Sequence, residues 1–295
     1  MKVLPDKDNH KLGDTHYCIA ASYLRQQKYH KVIFHSKKAL KIRTQLGDQE
    51  GIADILDYIG IACTFEGNFN EAERNIKESY KIYTSLFGEN HLKVANSYHS
   101  MGRNSAKNGK LGEAEEWYQK SLNIFIYSHG SNDYTVAMTL NKIACLQRDR
   151  GFNDKALENY KKCSDIFDHL RARGKLSERN KYDFAQTLYD IAIIKSIRNK
   201  NDEAEKSYKK SLDIENEISG ENNFSIILTL NSLGILNLQK GYYSEAKGYF
   251  EAALKIQKNY PADREPTLGE LKENSAKTTI MEQLKIKPDF KVIPV

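Results

Sequence analysis

Apolar side chains recur along this chain at spacings of three, four and seven residues, the stripe shown by one face of a 3.6-period helix. The stripe returns six times. The dipeptides Lys31-Val32, Glu71-Ala72, Glu113-Ala114, Lys155-Ala156, Glu203-Ala204 and Glu245-Ala246 mark corresponding places, and their second members stand 40, 42, 42, 48 and 42 residues apart. Twelve residues before each lies a small residue (Ala20, Gly60, Gly102, Ala144, Ala192, Gly234), and seven after each lies another (Ala39, Ser79, Ser121, Cys163, Ser211, Ala253). Small residues at fixed offsets are what two antiparallel helices need in order to approach closely and admit the next pair. Large residues occupy the places between. Ile19, Ile59, Met101, Ile143, Ile191 and Leu233 precede the first small position, and isoleucine stands three beyond the last in each unit, from Ile42 to Ile256. A plug recurs as Ile76, Tyr118, Tyr160, Tyr208 and Phe250, with Ser36 in that place in the first unit.

Punctuation fits the same reading. Gly67, Gly109, Gly151 and Gly241 stand five residues before the marker alanine, where a left-handed residue ends the first helix of a pair. Asn199 fills that place in the fifth unit, and Gln27 fits it least in the first. Gly47, Gly88, Gly130 and Gly220 stop the second helices. The pattern predicts an all-α chain of six helix-turn-helix repeats, at about 13–47, 53–88, 95–130, 137–172, 185–220 and 227–261. They stack as a solenoid, because one pair cannot bury both of its faces. Residues 1–12 read as a flexible N-terminus. Residues 262–295, after Pro261, read as a capping helix (roughly Thr267 to Lys285, with Leu268, Leu271, Ile280, Met281 and Leu284) and an extended tail. No equivalent cap precedes the first unit, which leaves an edge open to self-association.

Composition narrows the class. Charged residues make up 28% and hydrophobic ones 40%, with five prolines, the profile of a helix-rich water-soluble protein. No apolar run reaches the roughly 18 residues needed to span a bilayer, and the polar start offers no signal-peptide core. A cytoplasmic home follows as the expectation, or a host cytoplasm if the chain is a delivered bacterial effector. The net charge is +6, and residues 1–50 hold ten Lys or Arg against five Asp or Glu. That first unit is either a solvated basic face or an attraction for an acidic partner or RNA. Cys18, Cys63, Cys145 and Cys163 form no CxxC pair and read as small packing thiols. The chain lacks phosphate-binding, zinc-protease, nucleophile-elbow and EF-hand motifs, and its eight histidines show no ligand spacing. No catalytic residue, metal or cofactor is expected.

Gly88-Glu89-Asn90-His91-Leu92-Lys93-Val94-Ala95, running into Gly109-Lys110-Leu111-Gly112-Glu113-Ala114-Glu115, resembles the kinesin light chain type of tetratricopeptide repeat. Leu140-Asn141-Lys142-Ile143-Ala144 and Leu230-Asn231-Ser232-Leu233-Gly234 resemble the same type. The resemblance covers about residues 13–260. It implies a right-handed superhelical solenoid whose concave face, lined by the first helix of each unit, binds an extended peptide or a partner helix. The chain would then be an adaptor or scaffold, not an enzyme. The family's groove positions fall here on His99 and Arg103, on Asn141, Lys142 and Arg148, on Tyr189 and Asp190, and on Asn231. Asparagine can both donate to and accept from a peptide backbone, and the cations would favour an acidic or C-terminal peptide. The five-residue clamp of chaperone-binding members is not reproduced, and Asp14, Asp54 and Asp57 place acid on the first two units.

One step breaks the period. The 48-residue interval holds extra residues within 171–181, where Arg171, Arg173, Lys175, Arg179 and Lys181 accompany a single acid, Glu178. It reads as an exposed connector or as a basic contact loop; without interleaved aromatics a nucleic-acid partner is not expected. Two further readings stay open: a bacterial peptide-sensing regulator, which would need an N-terminal effector domain, and an effector that imitates a host trafficking adaptor.

Overall fold

The computed structural model describes residues 6–218, 224–258, 272–279 and 281. Among them every regular element is a helix. The first helices of the pairs are α1 (Asp6–Arg25), α3 (Gln49–Phe65), α5 (Leu92–Lys107), α7 (Tyr134–Asp149), α9 (Glu178–Ile197) and α11 (Phe224–Lys240). The second helices are α2 (Tyr29–Leu46), α4 (Phe69–Phe87), α6 (Leu111–His129), α8 (Asn153–Ala172), α10 (Asn201–Glu217) and α12 (Tyr243–Gln257). A further helical stretch, α13, covers 272–279. The chain divides into two compact units, Met1–Ala156 and Leu157–Val295, with the division inside α8. In the first unit α1 to α7 pack in succession, and first helices also meet one another, α1 against α3 and α3 against α5. In the second, α9 packs on α10, α10 on α11 and α11 on α12.

The small residues are where paired helices touch. A Cβ added to Gly60 would lie 2.4 Å from Ile76 Cγ1, one on Gly102 would lie 2.9 Å from the Tyr118 ring, and one on Gly234 would lie 2.5 Å from Phe250 Cε1. The plug of the second helix therefore fills the place a side chain would take. Ala72, Ala114, Ala204 and Ala246 are 0% exposed on the second helices. The serines at the later small position do more than stay small. Ser79 Oγ donates to Ala53 O at 2.8 Å, Ser121 to Ala95 O at 2.9 Å and Ser211 to Ala185 O at 2.8 Å, each reaching back 26 residues to the first helix. Ser36, the odd plug, is buried with no hydrogen-bond partner for its hydroxyl.

The turns hold the expected left-handed residues. Gly67, Gly109, Gly151 and Gly241 have φ between 77° and 81°, and Asn199 and Gln27 adopt 56° and 57°. Gly220 lies outside the described residues. The first helices begin earlier than the apolar register suggests, because side chains upstream cap them. Asp48 Oδ1 accepts from Gly51 N at 2.9 Å, Asp133 Oδ1 from Thr135 N at 2.8 Å and Ser177 Oγ from Asn180 N at 3.3 Å. Helix α1 likewise starts at Asp6, inside the segment 1–12 expected to be flexible.

The basic insertion is not an extended contact loop. Helices α8 and α9, 20 residues each, absorb most of it and leave only 173–177 between them. Arg171 pairs with Glu217, and Lys181 lies 3.0 Å from Glu178 and 3.9 Å from Glu217. Cys63 and Cys163 are buried and Cys145 half-buried, whereas Cys18, expected to pack, is exposed. In the cap, α13 buries Thr278 and sets Met281 against the cluster of Ile227, Leu230 and Phe250. The rest of the expected capping helix and the tail lie outside the described residues. No described helix is long and apolar enough to cross a membrane.

Two substitutions test the geometry. Gln27→Gly should relieve a strained left-handed turn and raise stability by about 0.5–1 kcal/mol in chemical denaturation. Gly234→Ala should cost about 1–2 kcal/mol through overpacking against the Phe250 ring. In a Phe250→Leu background the same change should be nearly neutral, and the double-mutant cycle measures the difference.

Candidate functional site

The polar residues of the first helices gather into distinct groups. In the first unit α3 contributes Asp54 and Asp57. Tyr83 of α4 donates its hydroxyl to Asp54 Oδ1, and Lys93 at the start of α5 lies 2.6 Å from Asp54 and 2.8 Å from Glu50. Burial alone would lower the Lys93 pKa, but the hydrogen bonds to Asp54 and Glu50 outweigh it and raise it. Asp54 is thus compensated on both sides. Asp57, one helical turn on, is not. Its Oδ1 is enclosed without a hydrogen-bond partner, and burial lifts the carboxyl to about 6 against the opposing hydrogen bond from Ser100 and the nearby charge of Arg103.

Arg103 belongs to a cluster on α5 and α7. His99 lies against Tyr118 with ring centroids 4.9 Å apart in an edge-on arrangement, and its Nδ1 is 3.5 Å from an Arg103 nitrogen. Burial first, and then the charges of Arg103 and Lys142, push the His99 pKa down to about 3. The imidazole is therefore neutral, and both cations act on it. Neither Arg103 nor Lys142 makes an ion pair within 4.0 Å among the described residues. Lys142 is exposed and Arg103 half-buried, its guanidinium 6.0 Å from the Phe65 ring centroid. Asn141, next to Lys142, is only 6% exposed, with Cys145 Sγ 3.7 Å from its oxygen. Arg148 sits in the last turn of α7 and donates to Asp149 at 3.2 Å.

The second unit holds its own group. Tyr189 packs edge-on against Tyr208, at 5.3 Å between centroids, and its hydroxyl is 2.9 Å from Ser232 Oγ. Asp190 is buried beside it, and Asn231, 7% exposed, accepts a hydrogen bond from Asn274 of α13 at 3.2 Å. The structure thus brings His99, Arg103 and Lys142 together. Asn141 and Asn231 are turned into packed surroundings.

Two participants escaped the sequence reading. The Asp54–Tyr83–Lys93 network joins residues 29 and 39 apart; the 29-residue step recurs one unit earlier between Asp14 and Arg43, but with a different partner chemistry. Asn104 bridges neighbouring pairs, with Thr64 Oγ1 donating to its Oδ1 at 3.1 Å while its Nδ2 donates to Phe69 O at 3.2 Å. Among the described residues no group of three or more His, Cys, Asp or Glu could hold a metal ion.

A family model described as tetratricopeptide repeat matches residues 11–85, 52–125, 105–169 and 183–259. No curated protein sequence matches the chain. Among solved structures, BtubC (BKLC) from P. vanneervenii superposes with a TM-score of 0.62 at 16% identity, over 83% of this chain and 94% of that one. Kinesin light chain-type TPR-like repeats from Podosopora anserina give 0.54 at 17% identity, over 72% and 95%. Aspartyl phosphate phosphatase F from Bacillus subtilis gives 0.64 at 14% identity, over 98% and 75%. At these identities the likeness is one of fold.

Asp57 gives a signature in pH. Its carboxyl binds a proton more tightly in the folded chain than in the unfolded one, so a stability penalty is absent below about pH 4, grows as the pH rises, and is complete above about pH 6. Asp57→Asn should match the parent chain near pH 4 and exceed it near pH 7, on the order of 2 kcal/mol in urea unfolding.

Proposed function

We propose, for a chain that belongs to the tetratricopeptide repeat family, that the first helices of its first unit dock an acidic peptide segment or the acidic face of a partner helix. Protein binding is the typical role of this family, so the partner class follows from the fold and the charge preference from this chain. One observation carries the reading: after burial, the charges of Arg103 and Lys142 both push the His99 pKa down, yet among the described residues neither forms a carboxylate ion pair. A carboxylate from a partner would gain two charge-assisted contacts. His99, neutral and packed on Tyr118, adds no charge of its own to the face. Arg148 adds a third cation on α7. Asn141 extends the face only if binding exposes it, and Tyr189 and Asn231 offer a separate polar patch in the second unit. The role is capture without turnover.

A second reading, a peptide-sensing regulator, draws on the fold likeness to aspartyl phosphate phosphatase F. Under it the same peptide changes the dimensions of the chain, which small-angle scattering with and without peptide would detect.

Fluorescence anisotropy with labelled glutamate-rich peptides ending in a free carboxylate tests the docking face. Arg103→Ala and Lys142→Ala should each weaken binding about five- to tenfold, and the affinity should fall with added salt. Peptides that bind both variants as tightly as the parent chain would remove these residues from the site.

A further inference from the structure

The second helices carry a site of a different kind. Tyr80 of α4, Tyr98 and Met101 of α5 and Trp117 of α6 line a cavity of about 240 Å³ in the first unit, and the exposed lysines Lys77, Lys81 and Lys120 stand around it. Trp117 is the only tryptophan of the chain, and the sequence pattern places it beside the plug Tyr118 as packing. It packs half-buried against the cluster of Ile59, Ile76 and Met101, with its ring stacked on Tyr98 at 5.7 Å between centroids and an angle of 18°. The polar tips of the aromatics are satisfied elsewhere. Tyr98 donates its hydroxyl to Tyr80 at 3.2 Å, and Trp117 Nε1 donates to Glu113 at 3.2 Å. What remains toward the cavity is apolar ring surface, closed at the bottom by Met101, which is 5% exposed.

The charges around that floor are one-sided. Lys77 is held by Glu73 at 2.5 Å. Lys120 lies over the Trp117 ring, 4.3 Å from its centroid, and 5.7 Å from that of Tyr98. Lys81 and Lys120 pair with no carboxylate among the described residues. Glu89, in the α4–α5 connection, also acts on Tyr98. A cation resting on an aromatic face gains little while exposed to water and is free to exchange that contact for an anion. Size narrows the occupant further. The cavity is smaller than the roughly 300–1,000 Å³ that drug-sized ligands and cofactors fill, and it suits one large side chain.

We propose that this crevice between α4 and α6 is a second docking site, in which an acidic peptide segment seats one large apolar side chain on Tyr80, Tyr98 and Trp117 while Lys81 and Lys120 pair with its flanking carboxylates. It shares no residue with the first-helix cluster of Arg103 and Lys142, so the chain would hold two segments, of one partner or of two. An aromatic or leucine anchor supplies the burial, and the lysines select its acidic surroundings over neutral or basic ones.

Trp117 reports its own site. The probe is a blocked acidic peptide with one central phenylalanine and no tryptophan, titrated into the intact chain while tryptophan emission is recorded. A saturable change in emission is expected. Replacing the phenylalanine of the probe by alanine, or combining Lys81→Glu with Lys120→Glu, should weaken it about tenfold or more. Both lysines are exposed, so their reversal leaves the packing of the unit intact. Arg103→Ala should leave this titration unchanged while weakening the first-helix docking, which separates failure of one site from failure of the other. The proposal is overturned by an emission change that survives the double lysine reversal, by one that Arg103→Ala abolishes, or by none at all. It is equally overturned if an unstructured oligonucleotide or a mononucleotide saturates the site and the peptide does not.

Discussion

Everything in this chain hangs on one contact, the seating of a second-helix plug on a small residue of the first helix. Ile76 over Gly60, Tyr118 over Gly102 and Phe250 over Gly234 approach so closely that even a methyl group on the glycine would collide. Such a contact fixes the distance between paired helices and the rotation of each about its own axis. Once the rotation is set, the remaining faces have no freedom. Residues one turn away from the small position must face outward on the first helix, and those flanking the plug must line the crevice between second helices. The serine-to-carbonyl bonds of Ser79 and Ser121 hold the first two of these pairs at a second point, three residues beyond the plug, and Ser211 makes the same bond in the pair α9 and α10.

How much of this was legible depends on whether a feature repeats. The small residue, the plug and the left-handed turn residue recur at fixed offsets, so the six pairs and even the strained Gln27 could be read from spacing alone. Helix starts could not. Asp48, Asp133 and Ser177 cap their helices through single side chains that sit at no common offset from the apolar stripe, and the stripe begins only where burial begins. The same distinction governs the site. His99 and Lys142 stand 43 residues apart on first helices, close to one repeat, and repeat logic brings them together. Asp54 and Tyr83 meet across a pair at 29 residues, the step that Asp14 and Arg43 also make, but the partner changes from arginine to tyrosine, so a search for recurring residue types passes over it. Asn141 and Asn231 show what spacing leaves out. Their register is right for the inner helices, but burial at 6% and 7% withdraws them from the surface.

The insertion at 171–181 teaches a related lesson. Five basic side chains beside a single acid look like a contact loop when only local sequence is visible. Two extended helices absorb most of it, and Glu217, some 40 residues away in sequence, takes up Arg171 and Lys181. Two of the five cations are thus answered by an acid from outside the segment. Lys81 and Lys120 invert that case: helix spacing would let acids such as Glu78 and Glu116 answer them, yet neither forms a pair. Local charge counting therefore fails in both directions, and the uncompensated cations are visible only once the helices are placed.

The first-helix face of the first unit also has a direction. Acid lies on α3, where Asp54 is neutralised by Lys93 and Tyr83 while Asp57 keeps an unpartnered oxygen. Base lies on α5 and α7, where His99 stays neutral between Arg103 and Lys142. A segment laid across these three helices meets acid at one end and base at the other, so one orientation matches charge to charge and the reverse places like against like. The contrast is fullest above about pH 6, where Asp57 is ionised, because below that pH burial outweighs the stabilising bond from Ser100 and the charge of Arg103 and keeps the carboxyl protonated.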